Sequence, residues 1–520
     1  AGVGEALAHQ LCQRGEQPIL VYAGEEFQDG LSEEKQPPDP NPEIPRFHLR
    51  SDHVADSQQL LETLQDRHQP IQGVVHLWSL DTLAMPTDNL EPLIHHSCGT
   101  TLYLLQALLR DYAVPPGLWL VTREAQAVLP TDPVSGMVQA TLWGMGRTIA
   151  LEHPELQCVC IDLDDSTPLA DEAAALCAEL MANNHGGSQE RQIALRQTTR
   201  QVARLTTYNP PEPTSLTIKA DATYLLTGGL GGLGLQVAQW LAEQGAGHLL
   251  LLGRSQPTPT AQQQIVDIEA QGTVVTVLQA DISQPEQIAQ ALAHVPSEQP
   301  LRGVIHAAGV LKDGALLQTS WADFYEVLAP KVAAWHLHTL TQDQSDWGTL
   351  DFFVLFSSRA GLFGNRGQAN HAAANAWLDS LAHYRQTQDL PALSINWGAW
   401  SQIGAAAAIV QQDKTQMVTS GEDAIDPIQG IQAFAYLLLQ QAAPQVGVLP
   451  ILWRQFMATE QARSPFFDQF AQREPSPVTS TTVTQLTVRQ QFDQTTPTAQ
   501  RPFLMEYIQT TVASVLGLGS

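Results

Sequence analysis

Two stretches of this chain repeat each other at a constant separation of 230 residues. AGVGEALAHQLCQRG (1–15) aligns with GGLGLQVAQWLAEQG (231–245), and QGVVHLWSLD (72–81) aligns with RGVIHAAGVL (302–311) in the same register. A register kept over about eighty residues indicates an internal duplication rather than chance similarity. The chain is therefore expected to contain one fold twice.

Apolar, strand-like runs alternate with helical stretches along most of the chain, which predicts an α/β fold with parallel sheets. In the second copy, YLLTGG (224–229) leads into a helix, and HLLLLGRS (248–255) follows that helix. Four further strands are predicted in TVVTVLQADIS (273–283), LRGVIHAAGV (301–310), DFFVLFSS (351–358) and PALSINWGAW (391–400).

Composition excludes several classes of protein. No apolar run among the 520 residues approaches the length that spans a bilayer, and the formal charge of −27 disfavours attachment to nucleic acid or anionic membrane through a basic field. The five cysteines include one close pair, Cys158 and Cys160, whose apolar surroundings predict a buried strand rather than a metal site. This cysteine usage favours a reducing, cytoplasmic compartment.

The two copies differ where a nucleotide would bind. The second copy has His-Ala-Ala-Gly at 306–309, whereas the first has His-Leu-Trp-Ser at 76–79, which puts the bulky Trp78 where the second copy has a small residue. The first copy is therefore predicted to be structural. A segment rich in Pro, Thr and Ser at 206–221 predicts the boundary between the copies.

The segment TGGLGGLG (227–234) lies between a predicted strand and a predicted helix. Its glycines let the backbone turn tightly and approach a pyrophosphate, while the helix N-terminus faces the anion. A GxGxxG pattern alone is a weak signal, but the legible strand and helix favour a dinucleotide site over a plain glycine turn. The residues assigned to this site are Thr227, Gly228, Gly229, Gly231, Gly232, Leu233 and Gly234.

Further cofactor contacts are predicted at the ends of the next strands. An acidic residue after the second strand would bind the ribose 2′-hydroxyl of NAD, but Arg254 stands there and suits the 2′-phosphate of NADPH. A solvated arginine is the alternative. An acidic residue after the third strand would meet the adenine, and small residues after the fourth leave room for the cofactor. These positions are Ser255, Asp281, Ile282, Ala307, Ala308 and Gly309.

Together the motifs resemble the ketoreductase domain of a modular polyketide synthase, an extended relative of the short-chain dehydrogenases. The resemblance covers nearly the whole chain and is carried by TGGLGGLG, GRS, ADIS, VIHAAGVL, APKVAAWHLHTL, FSSRAGLFGNRGQAN, AAANAWLDSLAHYR and LPALSINWGAW. It implies two tandem Rossmann-like subdomains with parallel sheets, one structural and degenerate and one catalytic. The implied activity is the reduction, with NADPH, of a β-keto group on an acyl chain that phosphopantetheine tethers to an acyl carrier protein, among neighbouring synthase domains.

The same resemblance divides the chain. Residues 1–212 are expected to form the structural subdomain without its start, and residues 213–472 the catalytic, NADPH-binding subdomain. The polar segment 473–500 has the composition of a linker. In 501–520 apolar residues recur every four positions, which predicts an amphipathic helix, and the resemblance implies the first helix of an acyl carrier protein.

The catalytic residues of the family carry over position by position. Its serine falls on Ser358, which would hydrogen-bond the substrate carbonyl, and its lysine on Lys331, which would bind the nicotinamide ribose and lower the pKa of the acid. Its asparagine falls on Asn375. The acid, a tyrosine thirteen residues after the serine, is replaced by His371. Each residue alone has an ordinary alternative, such as a strand-end cap or a surface lysine, but their joint order and spacing favour an active site.

The histidine leaves more than one function open. Its ordinary pKa near 6.5 suits an acid at neutral pH, but imidazole reaches about 2 Å less far than a phenol, and Lys331 disfavours the imidazolium. Tyr384 cannot substitute, because it lies roughly 20 Å further along one predicted helix. Reduction is favoured because every other element is kept. The alternatives are a reductase-inactive domain that binds cofactor and epimerises its substrate, and a scaffold without activity.

Two positions bear on product stereochemistry in the family. Where many members have Leu-Asp-Asp, this chain has Leu311-Lys312-Asp313, and Phe363 stands where the opposite stereochemical class carries tryptophan. The resemblance therefore implies a D-configured 3-hydroxyl. The segment 401–430 is expected to be either a lid over the substrate arm or an ordinary surface helix.

Overall fold

The computed structural model describes residues 2–29, 44–66, 71–82, 89–112, 114–129, 132–184, 189–197, 199–209, 216–342, 347–404, 420–440 and 443–471. The predicted linker (473–500), the predicted C-terminal helix (501–520) and half of the segment expected to be a lid or a surface helix (405–419 of 401–430) lie outside these residues. Within them, no helix combines the length and the apolar character needed to cross a membrane.

The described part of the first half contains a pair of strands and a separate five-stranded sheet. In the pair, β1 (Leu20–Ala23) runs parallel to β2 (Arg46–Leu49). The larger sheet has the spatial order β3 (Gly73–His76), β4 (Gly117–Arg123), β5 (Val159–Leu163), β6 (Gln192–Arg196) and β7 (Thr199–Val202). Strands β3 to β6 are parallel, and β7 is antiparallel to β6.

Helices connect these strands. They are α1 (Val3–Gln13), α2 (Val54–Asp66), α3 (Glu91–Ile94), α4 (Thr100–Asp111), α5 (Ala140–Glu152) and α6 (Leu169–Asn184). A π-helical turn (His95–Gly99) joins α3 to α4, and 3₁₀ turns cover Trp78–Thr82, Met137–Gln139 and Pro154–Leu156. Cys158 and Cys160 are buried at β5, as the apolar run predicted, and all five cysteines are unpaired.

The second half forms a parallel sheet of seven described strands. They are β8 (Thr223–Thr227), β9 (His248–Gly253), β10 (Val274–Gln279), β11 (Leu301–His306), β12 (Phe352–Ser358), β13 (Leu393–Trp397) and β14 (Gln445–Val448). Their spatial order is β10-β9-β8-β11-β12-β13-β14. The order reverses between β8 and β11, and ligands of such sheets bind beyond the carboxyl ends of the strands at that switch point.

The helices of the second half follow the strand ends. They are α7 (Gly232–Glu243), α8 (Pro259–Glu269), α9 (Pro285–Leu292), α10 (Trp321–Val332), α11 (Ala334–Thr341), α12 (Arg359–Phe363), α13 (Ala369–Thr387), α14 (Pro427–Gln440), α15 (Trp453–Phe456) and α16 (Asp468–Ala471). Short 3₁₀ turns cover Leu316–Gln318, Gln461–Arg463 and Pro465–Phe467.

The strands of the second half are apolar throughout because helices cover both faces of the sheet. Leu225 and Leu226, neighbours on β8, are fully buried in different hydrophobic clusters on opposite faces. The cluster around Leu225 continues into the first half, where Leu120 and Trp143 belong to it. The two halves therefore share one hydrophobic core, and the α/β prediction is confirmed.

Helices α5 and α13 bring the two halves into main-chain contact. A Cβ atom on Gly144, in α5, would lie 2.1 Å from the carbonyl oxygen of Ala372, in α13. Glycine at this position lets the two helices approach more closely than any side chain permits. The helix that carries His371 and Asn375 thus rests directly on the first half.

Trp78 follows β3, at the position where the second half has Ala308. Its indole donates a 3.1 Å hydrogen bond to the carbonyl of Val21 in β1. The side chain also packs against the hydrophobic cluster that contains Phe47 and Leu49. The bulky residue therefore links β3 to the strand pair of the first half.

Candidate active site

The glycine turn after β8 is closely packed. Gly228 has a positive φ of 67°, and a Cβ there would lie 2.8 Å from the amide nitrogen of Ala308. A Cβ on Gly234 would lie 2.3 Å from the carbonyl oxygen of Gly228. The N-terminus of α7, at Gly231, carries no side-chain cap. A small turn with an uncapped helix start fits a pyrophosphate.

Other residues assigned to the turn have structural partners. The Thr227 hydroxyl lies 2.8 Å from Nδ1 of the buried His306, which ties β8 to β11. Leu233 packs against Gly404, and Gly232 approaches Ile403. The chain entering the proposed lid therefore lies over the glycine turn.

Arg254 follows the last residue of β9 and is exposed. Among the described residues its guanidinium has no ion pair or hydrogen bond, so the side chain is available to an anionic ligand. Asp281 follows β10, and its Oδ1 accepts hydrogen bonds from the Ser283 amide (3.0 Å) and hydroxyl (2.8 Å). Ile282 is buried in the hydrophobic core rather than at the surface of the cleft.

Lys331 is a buried residue of α10 rather than the surface lysine of the ordinary alternative. Its Nζ donates a 2.6 Å hydrogen bond to the carbonyl of Phe356 in β12. A Cβ on Gly309 would lie 3.0 Å from Lys331 Cε, so the lysine runs beside the end of β11. Burial lowers its pKa to about 8, and the nearby Asp379 opposes that shift. The ammonium is therefore the main form at pH 7.

The two serines at the end of β12 have different roles. Ser358 caps α12, and its Oγ accepts a 3.2 Å hydrogen bond from the Ala360 amide. A hydroxyl that accepts at a cap keeps its own proton for donation. Ser357 is buried, and its Oγ donates to the main-chain carbonyl of Asn375 over 3.2 Å. Ser358 is thus the serine able to serve a substrate, while Ser357 secures α13.

His371 and Asn375 lie one turn apart on α13, as their spacing predicted. The Asn375 amide donates a 2.7 Å hydrogen bond to the carbonyl of His371. The imidazole Nδ1 is enclosed and has no hydrogen-bond partner among the described residues. Burial lowers the pKa of His371 to about 3, with the positive charges of Lys331 and Arg359 acting in the same direction. His371 is therefore a neutral imidazole at physiological pH.

The two residues assigned to stereocontrol lie in different surroundings. Asp313 is exposed, and both of its carboxylate oxygens accept hydrogen bonds of 3.0 Å from the side-chain amide of Gln368. Gln368 lies three residues before His371. Lys312 forms ion pairs with Asp323 (2.6 Å) and Glu326 (2.5 Å). Phe363 is buried in an aromatic cluster, with its ring 5.1 Å from that of Phe467.

A buried polar network next to the site was not predicted. Asp379 accepts from the Ser394 hydroxyl at 2.6 Å and from the Asn396 amide at 2.8 Å. Asn396 also donates to Ser357 over 2.9 Å. Burial raises the pKa of Asp379 to about 6. Its position four residues after Asn375 on α13 was the signal in the sequence. Among the described residues, no group of three or more His, Cys, Asp or Glu is arranged to hold a metal ion.

Comparison with known proteins identifies two matched families. Residues 222–402 match the family described as KR domain, and residues 32–205 match the Rossmann fold domain of the polyketide synthase extender module SpnB. The polyketide synthase GfsB of Streptomyces halstedii is 37% identical over 404 residues, which is 76% of this chain and 7% of that protein. The mycocerosic acid synthase-like polyketide synthase of Mycobacterium tuberculosis is 41% identical over 263 residues, 50% of this chain and 12% of that protein. The chain thus spans a small fraction of these multidomain relatives.

Solved structures resemble the chain over most of its length. The structure described as "A-type Ketoreductases from Modular Polyketide Synthase" is 31% identical, with a TM-score of 0.70, and the match covers 84% of this chain and 87% of that one. The first ketoreductase of the tylosin polyketide synthase is 28% identical, also with a TM-score of 0.70, over 88% of this chain and 95% of that one.

Proposed function

Because the chain belongs to the ketoreductase domains of modular polyketide synthases, we propose that it reduces the β-keto group of an acyl thioester to a β-hydroxyl with NADPH. The observation that carries this proposal is the buried Lys331, which runs between Gly309 and the Phe356 carbonyl at the switch point of the sheet. Burying a lysine is costly, and such a residue in a nucleotide cleft is a strong candidate for function. Ser358, His371 and Asn375 lie on elements adjoining it.

The choice of NADPH rests on Arg254. Its guanidinium is exposed beyond β9 and has no partner among the described residues, which suits a 2′-phosphate. The glycine turn would hold the pyrophosphate, and Asp281 would meet the adenine through the carboxylate oxygen not used by Ser283. NADPH, when bound, supplies the hydride that adds to the carbonyl carbon.

The residues of this chain bind the carbonyl and return a proton to its oxygen. Ser358 donates a hydrogen bond to that oxygen, and the N–H of neutral His371 donates a second from Nε2, the ring nitrogen outside the enclosure of Nδ1. These donors stabilise the negative charge that forms as the carbonyl electron pair moves onto oxygen. Of Lys331 and His371, only the lysine is in its protonated, cationic form at pH 7, because its pKa is about 8 and that of His371 is about 3. The proton therefore comes from Lys331 and reaches the oxygen through water, since the enclosed Nδ1 of His371 has no partner among the described residues from which to accept it.

The family also supports a proposal for the substrate and the setting. We propose that an acyl carrier protein presents the β-ketoacyl chain on its phosphopantetheine, that neighbouring synthase domains flank this one, and that the product hydroxyl is D-configured because Asp313 is kept and Phe363 replaces tryptophan. Five unpaired cysteines, four of them buried, support the cytoplasm as the compartment. Residues 1–212 would be the structural subdomain and 213–472 the catalytic one.

The test is NADPH oxidation at 340 nm with the N-acetylcysteamine thioester of a 3-oxo acid. Turnover is expected for the wild type, and Ser358→Ala should lower kcat/KM at least a hundredfold while leaving NADPH affinity within twofold. Chromatography on a chiral phase then identifies the 3-hydroxyl configuration. NADPH binding without oxidation would contradict the proposed reduction.

One observation favours an alternative. A histidine with a pKa of about 3 is protonated in roughly one molecule in ten thousand at pH 7, so it is no acid by itself. A domain that binds NADPH but only epimerises or scaffolds would keep the same fold. Exchange of the α-hydrogen of a 2-methyl-3-oxoacyl thioester in D₂O, without NADPH oxidation, would support epimerisation.

A further inference from the structure

Glu152, the last residue of α5 in the non-catalytic half, contacts the catalytic half through both carboxylate oxygens. Oε1 accepts a 2.7 Å hydrogen bond from the Gly367 amide, and Oε2 accepts a 3.1 Å hydrogen bond from the Leu316 amide. A carboxylate at the C-terminus of a helix faces the negative end of the helix dipole, which is unfavourable. The two N–H groups from the other half compensate for that placement.

The two segments that Glu152 contacts are bonded to each other. We name residues 312–316 and 367–370 the paired loops. The Gly314 amide donates to the Gly367 carbonyl over 2.8 Å, and the Asn370 amide donates to the Lys312 carbonyl over 2.9 Å. The Gln368 amide reaches Asp313. Glu152 therefore accepts one N–H from each of two loops that already form a unit.

The paired loops lead directly into the site. Residues 367–370 lead into α13 and immediately precede His371. Residues 312–316 follow the end of β11 and contain Asp313. Gly367 has a positive φ of 75°, so the loop turns sharply just where Glu152 binds it. A shift of this peptide moves His371 and Gln368 together.

We propose that Glu152 is a positioning residue for the reduction, acting from the non-catalytic half by holding the paired loops at a set distance and thereby orienting the substrate between Asp313 and His371. This inference rests on the proposed reduction. The other main contacts of α5 with this region, at Gly144 and at Arg147, whose guanidinium bonds the Gly361 carbonyl, lie in the buried interface. Glu152 lies at its edge and is half-buried, so its replacement tests position rather than folding.

The experiment compares Glu152→Ala and Glu152→Gln with Glu155→Ala in the full chain. Glu155 is an exposed carboxylate three residues away whose hydrogen bond is to His153, so it controls for loss of charge. Glutamine keeps one acceptor oxygen and should retain one of the two bonds. For each protein we measure NADPH affinity, kcat and KM with the 3-oxoacyl N-acetylcysteamine thioester, the ratio of the two 3-hydroxyl epimers, and amide hydrogen exchange.

In Glu152→Ala we expect NADPH affinity within twofold of wild type, at least a tenfold loss of kcat/KM, and at least a fivefold erosion of the epimer ratio. Glutamine should give intermediate values, and Glu155→Ala should match the wild type. Exchange in 314–318 and 366–370 should accelerate at least tenfold, with 223–234 unchanged.

A folded Glu152→Ala protein with wild-type kcat/KM, epimer ratio and exchange would overturn the inference. If Glu152→Ala does not fold, Glu152→Gln alone decides by the same criteria. If the wild type binds NADPH but reduces nothing, the proposed function fails, and exchange in the paired loops still decides whether Glu152 holds them.

Discussion

The side-chain amide of Asn375 donates its 2.7 Å hydrogen bond to the main-chain carbonyl of His371, one turn earlier on α13. The Asn375 carbonyl in turn accepts from Ser357, so this face of α13 is fixed at both ends. The Asn375 Oδ1 atom is left buried without a partner among the described residues. These two hydrogen bonds fix this part of α13, so a substitution at 371 can be made on a helix that is already held in place.

His371→Tyr is therefore expected to raise turnover. A phenol is longer than an imidazole, and under the proposed function Ser358, Lys331 and Asn375 would orient it toward the carbonyl. We expect kcat to rise about tenfold, which corresponds to about 1.4 kcal/mol of transition-state stabilisation. The assay is NADPH oxidation at saturating thioester. His371→Phe, which has a ring but no donor, is the control and should lie below the wild type. A loss of rate with tyrosine would mean that the pocket has adapted to imidazole.

The pH dependence of kcat should follow the titration of Lys331 rather than that of His371. The ammonium of Lys331 loses its proton as the pH rises through about 8, so kcat should be level from pH 6 to 7 and fall above pH 8. The imidazole is neutral throughout this range because its pKa is about 3. Ionised Asp379 raises the pKa of Lys331, so Asp379→Asn should move the fall to lower pH. A rate that already declines between pH 6 and 7, and does so in both the wild type and Asp379→Asn, would identify His371 rather than Asp379 or Lys331 as the acid.

Arg254→Ala should remove most of the preference for NADPH over NADH. A charge-assisted hydrogen bond to the 2′-phosphate contributes roughly 1.5–3 kcal/mol, so NADPH affinity should fall by about tenfold or more. NADH affinity should change less than twofold. Arg110→Ala, which removes an exposed arginine of α4, is the matched control. Fluorescence titration gives both constants, and a wild-type preference below threefold would refute the assignment of Arg254.

One equivalent of NADPH should bind per chain. In the first half the indole of Trp78 bonds Val21 and stacks on His96, with ring centroids 6.2 Å apart, where the second half has small residues. Isothermal titration calorimetry measures the stoichiometry. Gly234→Val, whose side chain would collide with the Gly228 carbonyl, should abolish all NADPH binding. If this variant still binds half as much NADPH as the wild type, the chain has a second nucleotide site.

Gly144→Ala should destabilise the protein and lower its turnover rate. The new Cβ would sit 2.1 Å from the Ala372 carbonyl, so α13 must shift. Overpacking of this kind costs about 1–3 kcal/mol of unfolding free energy, measured by urea denaturation. Because α13 carries His371 and Asn375, kcat should also fall at least fivefold. Gly245→Ala, at a positive φ of 92° with nothing within 4 Å of the new Cβ, should lose stability through strain but keep its kcat.

The strands of the second half were predictable because they are unbroken apolar runs. Six of them lie where the sequence placed them, from β8 to β13. The seventh, β14 (Gln445–Val448), was missed because its two valines alternate with glutamine and glycine in a four-residue segment at the sheet edge. Tyr384 lies with His371 on one continuous helix, α13, as predicted, and its ring contacts Trp335 and His338 instead of the site.

The sequence was enough to propose the residues of the site, and that assignment stays a prediction, but it did not indicate their protonation states or the residues that contact them from elsewhere in the chain. The order and spacing of Ser358, His371 and Asn375 follow from a strand end and a helix. The neutral state of His371 depends on burial and on Lys331, forty residues earlier in the chain. Glu152 contacts the paired loops across more than 150 residues of sequence, and no local pattern encodes such docking.

The glycine contact between α5 and α13 has a consequence for exchanging such domains between assembly lines. A chimera joined near 206–221 would combine the α5 of one parent with the α13 of another, and a single methyl group in place of the Gly144 hydrogen would force them apart. The half proposed to be structural would therefore have to be inherited together with the half proposed to carry out the reduction. A chimera that transfers only the second half would bring α13 with it but would lose the surface of α5 against which α13 packs.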